Sequence, residues 1–284
     1  MPVMWADTIN PKLFPDFRCR TVGWQQKNQY CLPDYGCRLV GGQQKNQPLK
    51  EGVICYGRRT FLLNLQKYSY IRIFNMKKTE AIKIISKCAK KYKNYLNGKQ
   101  IVFVYHDKNN YSSYTEARFR SYNFLHFTGV SPRDGISAND FYRYALNNHL
   151  SEHDFSFKNN HTTELKLKVL DIIMNIDTKA RMIGNYTGPH LELYTEKVTG
   201  TTTACLGLVE KGNYYIPNSV LSEDIRSIVP RPPGKIYAIF KKPIGSALYT
   251  QLTYKSQNIK ITKKCLPESL AKLIEPALLE DTNY

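Results

Sequence analysis

Acidic residues are scarce in this chain: 23 Asp and Glu stand against 41 Lys and Arg, a formal charge of +18. Such an excess suits a polyanionic partner, whether RNA, DNA or an acidic membrane surface, and by itself does not choose among them. Histidine is rarer still, with six residues. No Cys-x-x-Cys pair occurs among the seven cysteines, so neither a zinc ribbon nor a disulfide framework is indicated, and a reducing cytoplasm fits best. No apolar run approaches the roughly 20 residues of a membrane span. Met1 to Asn10 lacks the charged start and apolar stretch of a leader, and no glycine-rich phosphate loop is present. What the chain does have is rings: 21 tyrosines and 12 phenylalanines, which interleaved with cations can stack bases while the cations hold phosphates.

Residues 1–75 read differently from the rest. Cys19 to Gln29 recurs as Cys37 to Gln47, nine of eleven positions identical at an offset of 18 residues. Two copies do not make a solenoid. Met76 is followed by Lys77-Lys78-Thr79-Glu80 and a clean amphipathic pattern, the way many coding sequences begin. The expectation is that 1–75 is an extension, not native or disordered, and that 76–284 is the folded domain.

Within 76–284, Ala81, Ile85, Cys88, Tyr92 and Tyr95 recur at helical spacing over 77–97, and Asn97-Gly98 ends the helix. Residues 101–105 and 113–119 read as a hairpin around Asp107 to Asn110, and Asn123 to Gly129 as an aromatic strand. Ser137 with Asp140 marks a helix start. A second helix spans Thr163 to Asn175, with Leu165, Val169, Leu170, Ile172, Ile173 and Ile176 on its apolar arc. Strands follow at 180–186, 191–198, 203–210, 214–221, 235–242 and 249–255, and Pro267 opens a last helix. Helices first and a mainly antiparallel sheet later give an α+β fold.

Two residues stand out for chemistry. His126 places an imidazole, the group that titrates near neutrality, inside an aromatic segment. Lys166 falls between Ile173 and Leu170 on the helix wheel, so its ammonium either snorkels to an edge or faces the sheet, where it would neutralise a phosphate. His149-Leu-Ser-Glu-His153 matches a zinc-protease signature in letters, but Asn147-Asn148 and the Ser151 to Asp154 turn break the helix it requires. On the 191–203 segment, Leu191, Leu193, Thr195 and Lys197 share one face of a strand and Tyr194 the other.

These pieces occur in an order that resembles a known family. Asn-Phe-Leu-His-Phe-Thr-Gly-Val (123–130), Thr-Glu-Leu-Lys-Leu-Lys-Val-Leu (163–170), Met-Ile-Gly-Asn-Tyr (182–186), Leu-Tyr-Thr-Glu-Lys (193–197), Ala-Cys-Leu-Gly-Leu-Val (204–209) and Tyr-Ile-Pro-Asn-Ser-Val-Leu-Ser-Glu-Asp-Ile-Arg (215–226) are collinear. Together they resemble the fourth phage group of Barnase/EndoU/colicin/RelE-like nucleases, over roughly Lys77 to Tyr254. The resemblance implies a phage- or mobile-element-encoded, metal-independent endoribonuclease, toxin-like or host-directed, acting in the bacterial cytoplasm without cofactor. It implies RNA as partner, with an immunity or host protein as a further one; the lack of a long apolar run leads to the expectation of no membrane. His126 would be base or acid, Lys166 and Lys197 phosphate stabilisers, and Tyr194 and Thr195 positioning groups, while Thr128, Arg181, Thr201 and Arg226 would contact substrate. The alternative is an inactive module that binds nucleic acid or a host protein, such as an anti-defence protein, because fold likeness does not guarantee activity.

Overall fold

The structure, a computed structural model, describes residues 76–188, 194–257 and 259–280 and one short antiparallel pair, Cys55–Tyr56 with Arg59–Thr60. Contacts divide the chain into Met1–Ile73 and Phe74–Tyr284. The 18-residue-offset repeat lies outside the described residues, and the second unit holds all the described helices.

Helix α1, Lys78–Tyr95, forms on the expected stripe: Ala81, Ile85, Cys88 and Tyr92 are buried while Lys83, Lys87 and Lys90 are exposed. Tyr95, expected on the buried side, lies out at the helix end. Gly98, at φ 72°, then turns the chain in the left-handed conformation that glycine adopts without a steric cost. Strands β1 (Lys99–His106) and β2 (Ser112–Phe119) make the hairpin, and the Asp107 carboxylate accepts the N–H groups of Asn109 and Tyr111 in its turn, both at 2.9 Å.

The segment expected to be an aromatic strand is a helix, α2, Asn123–Thr128. A strand would put Phe124 and Phe127 on opposite faces. Their spacing of three puts both on one helical face, where they are fully buried against the Tyr92 ring, and Gly129 at φ 71° closes the helix. Asn123 fixes its position, accepting the Arg120 N–H at 2.8 Å and donating to the Pro217 carbonyl at 3.0 Å.

Helix α3, Ala138–Leu146, starts at Ser137, whose hydroxyl accepts the Asp140 N–H. The His149 to His153 stretch lies beyond its end in turns, with Ser151 bonded to Asp154, so no helix aligns the two imidazoles. Helix α4 runs Thr162–Ile173, and its core side differs from the expected arc. Leu165 and Ile172 are exposed, whereas Thr163, Glu164 and Leu167 are buried beside Val169, Leu170 and Ile173. On the inner side Thr163 donates to the buried Gly129 carbonyl at 2.8 Å, while Glu164 meets the exposed His161 ring at 3.3 Å through one carboxylate oxygen.

After α5 (Ile176–Lys179) come β3 (Met182–Asn185), β4 (Lys197–Gly200), β5 (Cys205–Lys211), β6 (Tyr214–Leu221), α6 (Ile225–Ile228), β7 (Gly234–Pro243), β8 (Gln251–Lys255) and α7 (Glu268–Ala271). Of the expected strand 191–198, residues 191–193 lie outside the described residues and only Lys197 and Val198 are in the ladder. Asn218, in a bulge of β6 between Pro217 and Ser219, bonds the Tyr194 carbonyl and the Thr195 hydroxyl instead.

The strand order is β8-β7-β1-β2-β6-β5-β4-β3, and β3 pairs back onto the start of β7 at Gly234↔Ile183, closing the sheet into a barrel. Every pairing is antiparallel except β2 with β6, which is parallel at Tyr215↔Ala117. The α+β expectation holds, with a mixed sheet. A parallel pair needs a long crossover, and α2 to α5 supply it.

Alternation gives the sheet two faces. Ile101, Phe103, Ala117, Phe119, Leu206, Leu208 and Val220 pack with α1–α4. Val102, Val104, Tyr237 and Phe240 face the other way, onto Tyr249 and the C-terminal Ile261, Leu266, Leu270 and Ile274. A buried ion pair, Lys241 with Asp177 at 2.5 Å, ties β7 to α5.

Candidate active site

The end of α2 and the start of α4 meet at glycine. A Cβ on Gly129 would stand 2.8 Å from the Lys166 Cδ and 3.3 Å from the Thr162 carbonyl oxygen, so the aliphatic stem of Lys166 passes over a position where no side chain fits. The Lys166 Nζ then donates to the His126 carbonyl at 2.9 Å. Thr163 continues the seam, accepting the Lys158 N–H at 3.1 Å while it donates to Gly129. The misfit lysine of α4 and the histidine of α2 thus come together because two helix ends are stitched by hydrogen bonds around one glycine.

Electrostatics at this junction are set by packing and by excess positive charge. Burial lowers the Lys166 pKa from its usual range to about 8, and the nearby Lys158 ammonium adds to the effect. His126 keeps an exposed edge. Its pKa is also lowered, first by protein that displaces water around the ring and then by Lys166 and Lys158. At neutral pH the imidazole is therefore mainly neutral, able to accept a proton, while the ammonium beside it is mainly charged. A proton acceptor and a cation share one helix junction.

The other expected site residues lie elsewhere. Lys197 donates to the Thr115 hydroxyl at 3.3 Å and sits 5.0 Å from the Tyr215 ring centroid, on the face that packs with the helices. Thr195 turns to Asn218 and the Gly207 backbone, and Tyr194 is 73% exposed. Thr128 is buried and its hydroxyl donates to the Leu125 carbonyl at 2.8 Å. Thr201 organises the β4–β5 turn through Thr203 and Ala204. Arg181 bonds the Thr178 and Ala180 carbonyls and lies 3.8 Å from the Tyr254 ring centroid. Arg226 is gripped by Asp224, with its Nη2 at 2.6 Å, in an open cleft shared with Arg231 and Pro232.

Lys158, His161 and Glu164 were missed by the sequence reading. His161, at φ 58°, heads α4, and its Nδ1 lies 3.3 Å from Glu164 Oε1, while Oε2 of that carboxylate is buried without a partner. The signal was present as a His and a Glu three residues apart at a helix start. Among the described residues no group of three or more His, Cys, Asp or Glu could hold a metal ion. No helix among them is long and apolar enough to cross a membrane.

Residues 84–258 match the family model described as phage-Barnase-EndoU-ColicinE5/D-RelE like nuclease 4. The chain belongs to this family. The match takes in α2, α4, the His126–Lys166 junction and every strand of the barrel, and it leaves out 1–83 and the C-terminal cover. No curated protein and no solved structure matches the chain. Membership in a nuclease family supports a nucleic-acid substrate, in keeping with the charge of +18.

Proposed function

We propose that the chain is an endoribonuclease that cleaves RNA by attack of a 2′-hydroxyl on the adjacent phosphate, without a metal. The observation that carries the reading is the 2.9 Å contact from Lys166 Nζ to the His126 backbone carbonyl, with the ammonium close enough to help lower the pKa of the imidazole. His126 takes the 2′-hydroxyl proton. Lys166 neutralises the charge that develops on the phosphorane oxygens and gives a proton to the departing 5′-oxygen, leaving a 2′,3′-cyclic phosphate and a 5′-hydroxyl. An ammonium titrating near 8 gives up a proton more readily than an ordinary lysine. The encoded role proposed is that of a phage or mobile-element toxin directed at its host.

A second reading, binding of nucleic acid or a host protein without cleavage, is favoured by one feature: the Lys166 ammonium already serves a backbone carbonyl. Incubation of the full chain with total RNA in excess EDTA separates the two. Cleavage that disappears in His126→Ala supports the enzyme, and salt-sensitive binding without cleavage supports the binder.

A further inference from the structure

The sheet face turned away from α1–α4 carries polar groups that the His126–Lys166 junction does not use. Strand register aligns Lys242 of β7, Gln100 of β1 and Arg118 of β2 in one row, with Glu116 one pleat further along β2. Arg118 donates through Nε to Gln100 Oε1 at 3.0 Å and lays its guanidinium 3.8 Å from the ring centroid of Tyr214 on β6. Lys242 sits 4.5 Å from the Tyr249 ring centroid, and the Tyr249 hydroxyl donates to Glu116. Arg118, Glu116 and Tyr214 are half-exposed, whereas Gln100, Lys242 and Tyr249 beneath them are buried. The exposed groups thus stand on a fixed polar floor.

Glu116 lies among these cations without an ion pair to either, since its hydrogen-bond donor is Tyr249. Arg118 is likewise unpaired with any described carboxylate. Gln100 and the Tyr214 ring hold the guanidinium flat, which leaves its two Nη groups for a planar, two-oxygen acceptor. A guanidinium fixed beside an accessible ring is the pairing that single-stranded nucleic acid uses, one group for the phosphate and the other for a base.

We propose that Arg118 and Tyr214, braced by Gln100, Lys242 and Glu116, form a binding site for single-stranded RNA on the face opposite the helices. The site rests on the reading of RNA as substrate and adds a surface that grips the strand away from the cleaved bond. The test uses the full chain and a labelled 2′-O-methyl oligoribonucleotide, which lacks the attacking hydroxyl and stays intact during fluorescence anisotropy. Arg118→Gln and Tyr214→Leu are each expected to weaken binding about tenfold. Arg118→Gln should also reduce the slope of log affinity against log salt by about 0.7. Lys90→Gln, an exposed charge on α1, is the control for net charge. Should Arg118→Gln not fold, Tyr214→Leu carries the test, because it keeps the charge and the Gln100 bond. Affinity in Arg118→Gln or Tyr214→Leu no lower than in Lys90→Gln overturns the site, as does a wild type that does not bind the oligonucleotide. The cleavage reading fails on a different result: His126→Ala that still cuts unmodified RNA, whatever the affinity.

Discussion

Replacing Lys166 with methionine should make the protein more stable and less active, and the pH dependence of that gain can be worked out. The Lys166 pKa is lowered to about 8, against an unfolded value near 10.4. Below pH 8 both folded and unfolded chains carry the proton, so the full penalty for holding a desolvated ammonium is present. As pH rises through 8 the folded state releases its proton while the unfolded state keeps it until about 10.4, so stability rises over that interval and then levels. The whole shift corresponds to about 3 kcal/mol, of which about 1.4 kcal/mol is recovered between pH 7 and pH 9. Lys166 is half-buried, so solvent screening trims both figures. Methionine keeps the stem that crosses Gly129 and loses the bond to the His126 carbonyl, worth about 1.5–3 kcal/mol gross for a charged donor. The loss of that bond offsets part of the gain. The expected outcome in urea denaturation is a variant more stable than wild type by up to about 1.5 kcal/mol at pH 7, with the difference closing by pH 9. RNA cleavage should fall at least a hundredfold. A variant destabilised at pH 7, or a gap unchanged between pH 7 and pH 9, refutes the argument that Lys166 is held there against its solvation.

Three further outcomes follow from the same geometry. His126→Ala should cut the cleavage rate about 10²- to 10⁴-fold while shifting the melting temperature by no more than a few degrees, because the ring keeps an exposed edge. The rate of RNA cleavage against pH should be bell-shaped, rising with a midpoint below about 6.5 as His126 loses its proton and falling near 8 as Lys166 does; a profile flat from pH 5 to 9 would remove both from the chemistry. Lys241→Met should cost about 3–5 kcal/mol in chemical denaturation by stranding the buried Asp177 carboxylate, and Asp177→Asn combined with it should restore part of the loss.

Much of the framework was legible along the chain because local rules sufficed. Ala81, Ile85, Cys88 and Tyr92 announce α1 by spacing, Ser137 and Asp140 announce α3, and 214–221 coincides with β6. The collinear motifs around His126 and Lys166 pointed to the family that the match to 84–258 establishes. Errors arose where tertiary partners outweighed local pattern. Asn123 to Thr128 is rich in the aromatic residues that favour strands, yet Tyr92 and Pro217 hold it as a helix. Leu165 and Ile172 look like core residues, but Thr163 and Glu164 take the inner face of α4, where Thr163 bonds the Gly129 carbonyl.

The sequence by itself determined the class of fold, the charge that suits a nucleic acid, and the two residues whose chemistry was out of place in their surroundings. Only the tertiary structure decided which of the candidates meet. His126 and Lys166 are 40 residues apart and touch because Gly129 has no side chain to keep α4 away. Lys197 and Thr195, two residues apart and on one face of a regular strand, go to different partners, Lys197 to Thr115 and Thr195 to Asn218 in the bulge of β6. Spacing along a chain fixes neighbours within one element; which elements pack, and what they desolvate when they do, depends on the whole core.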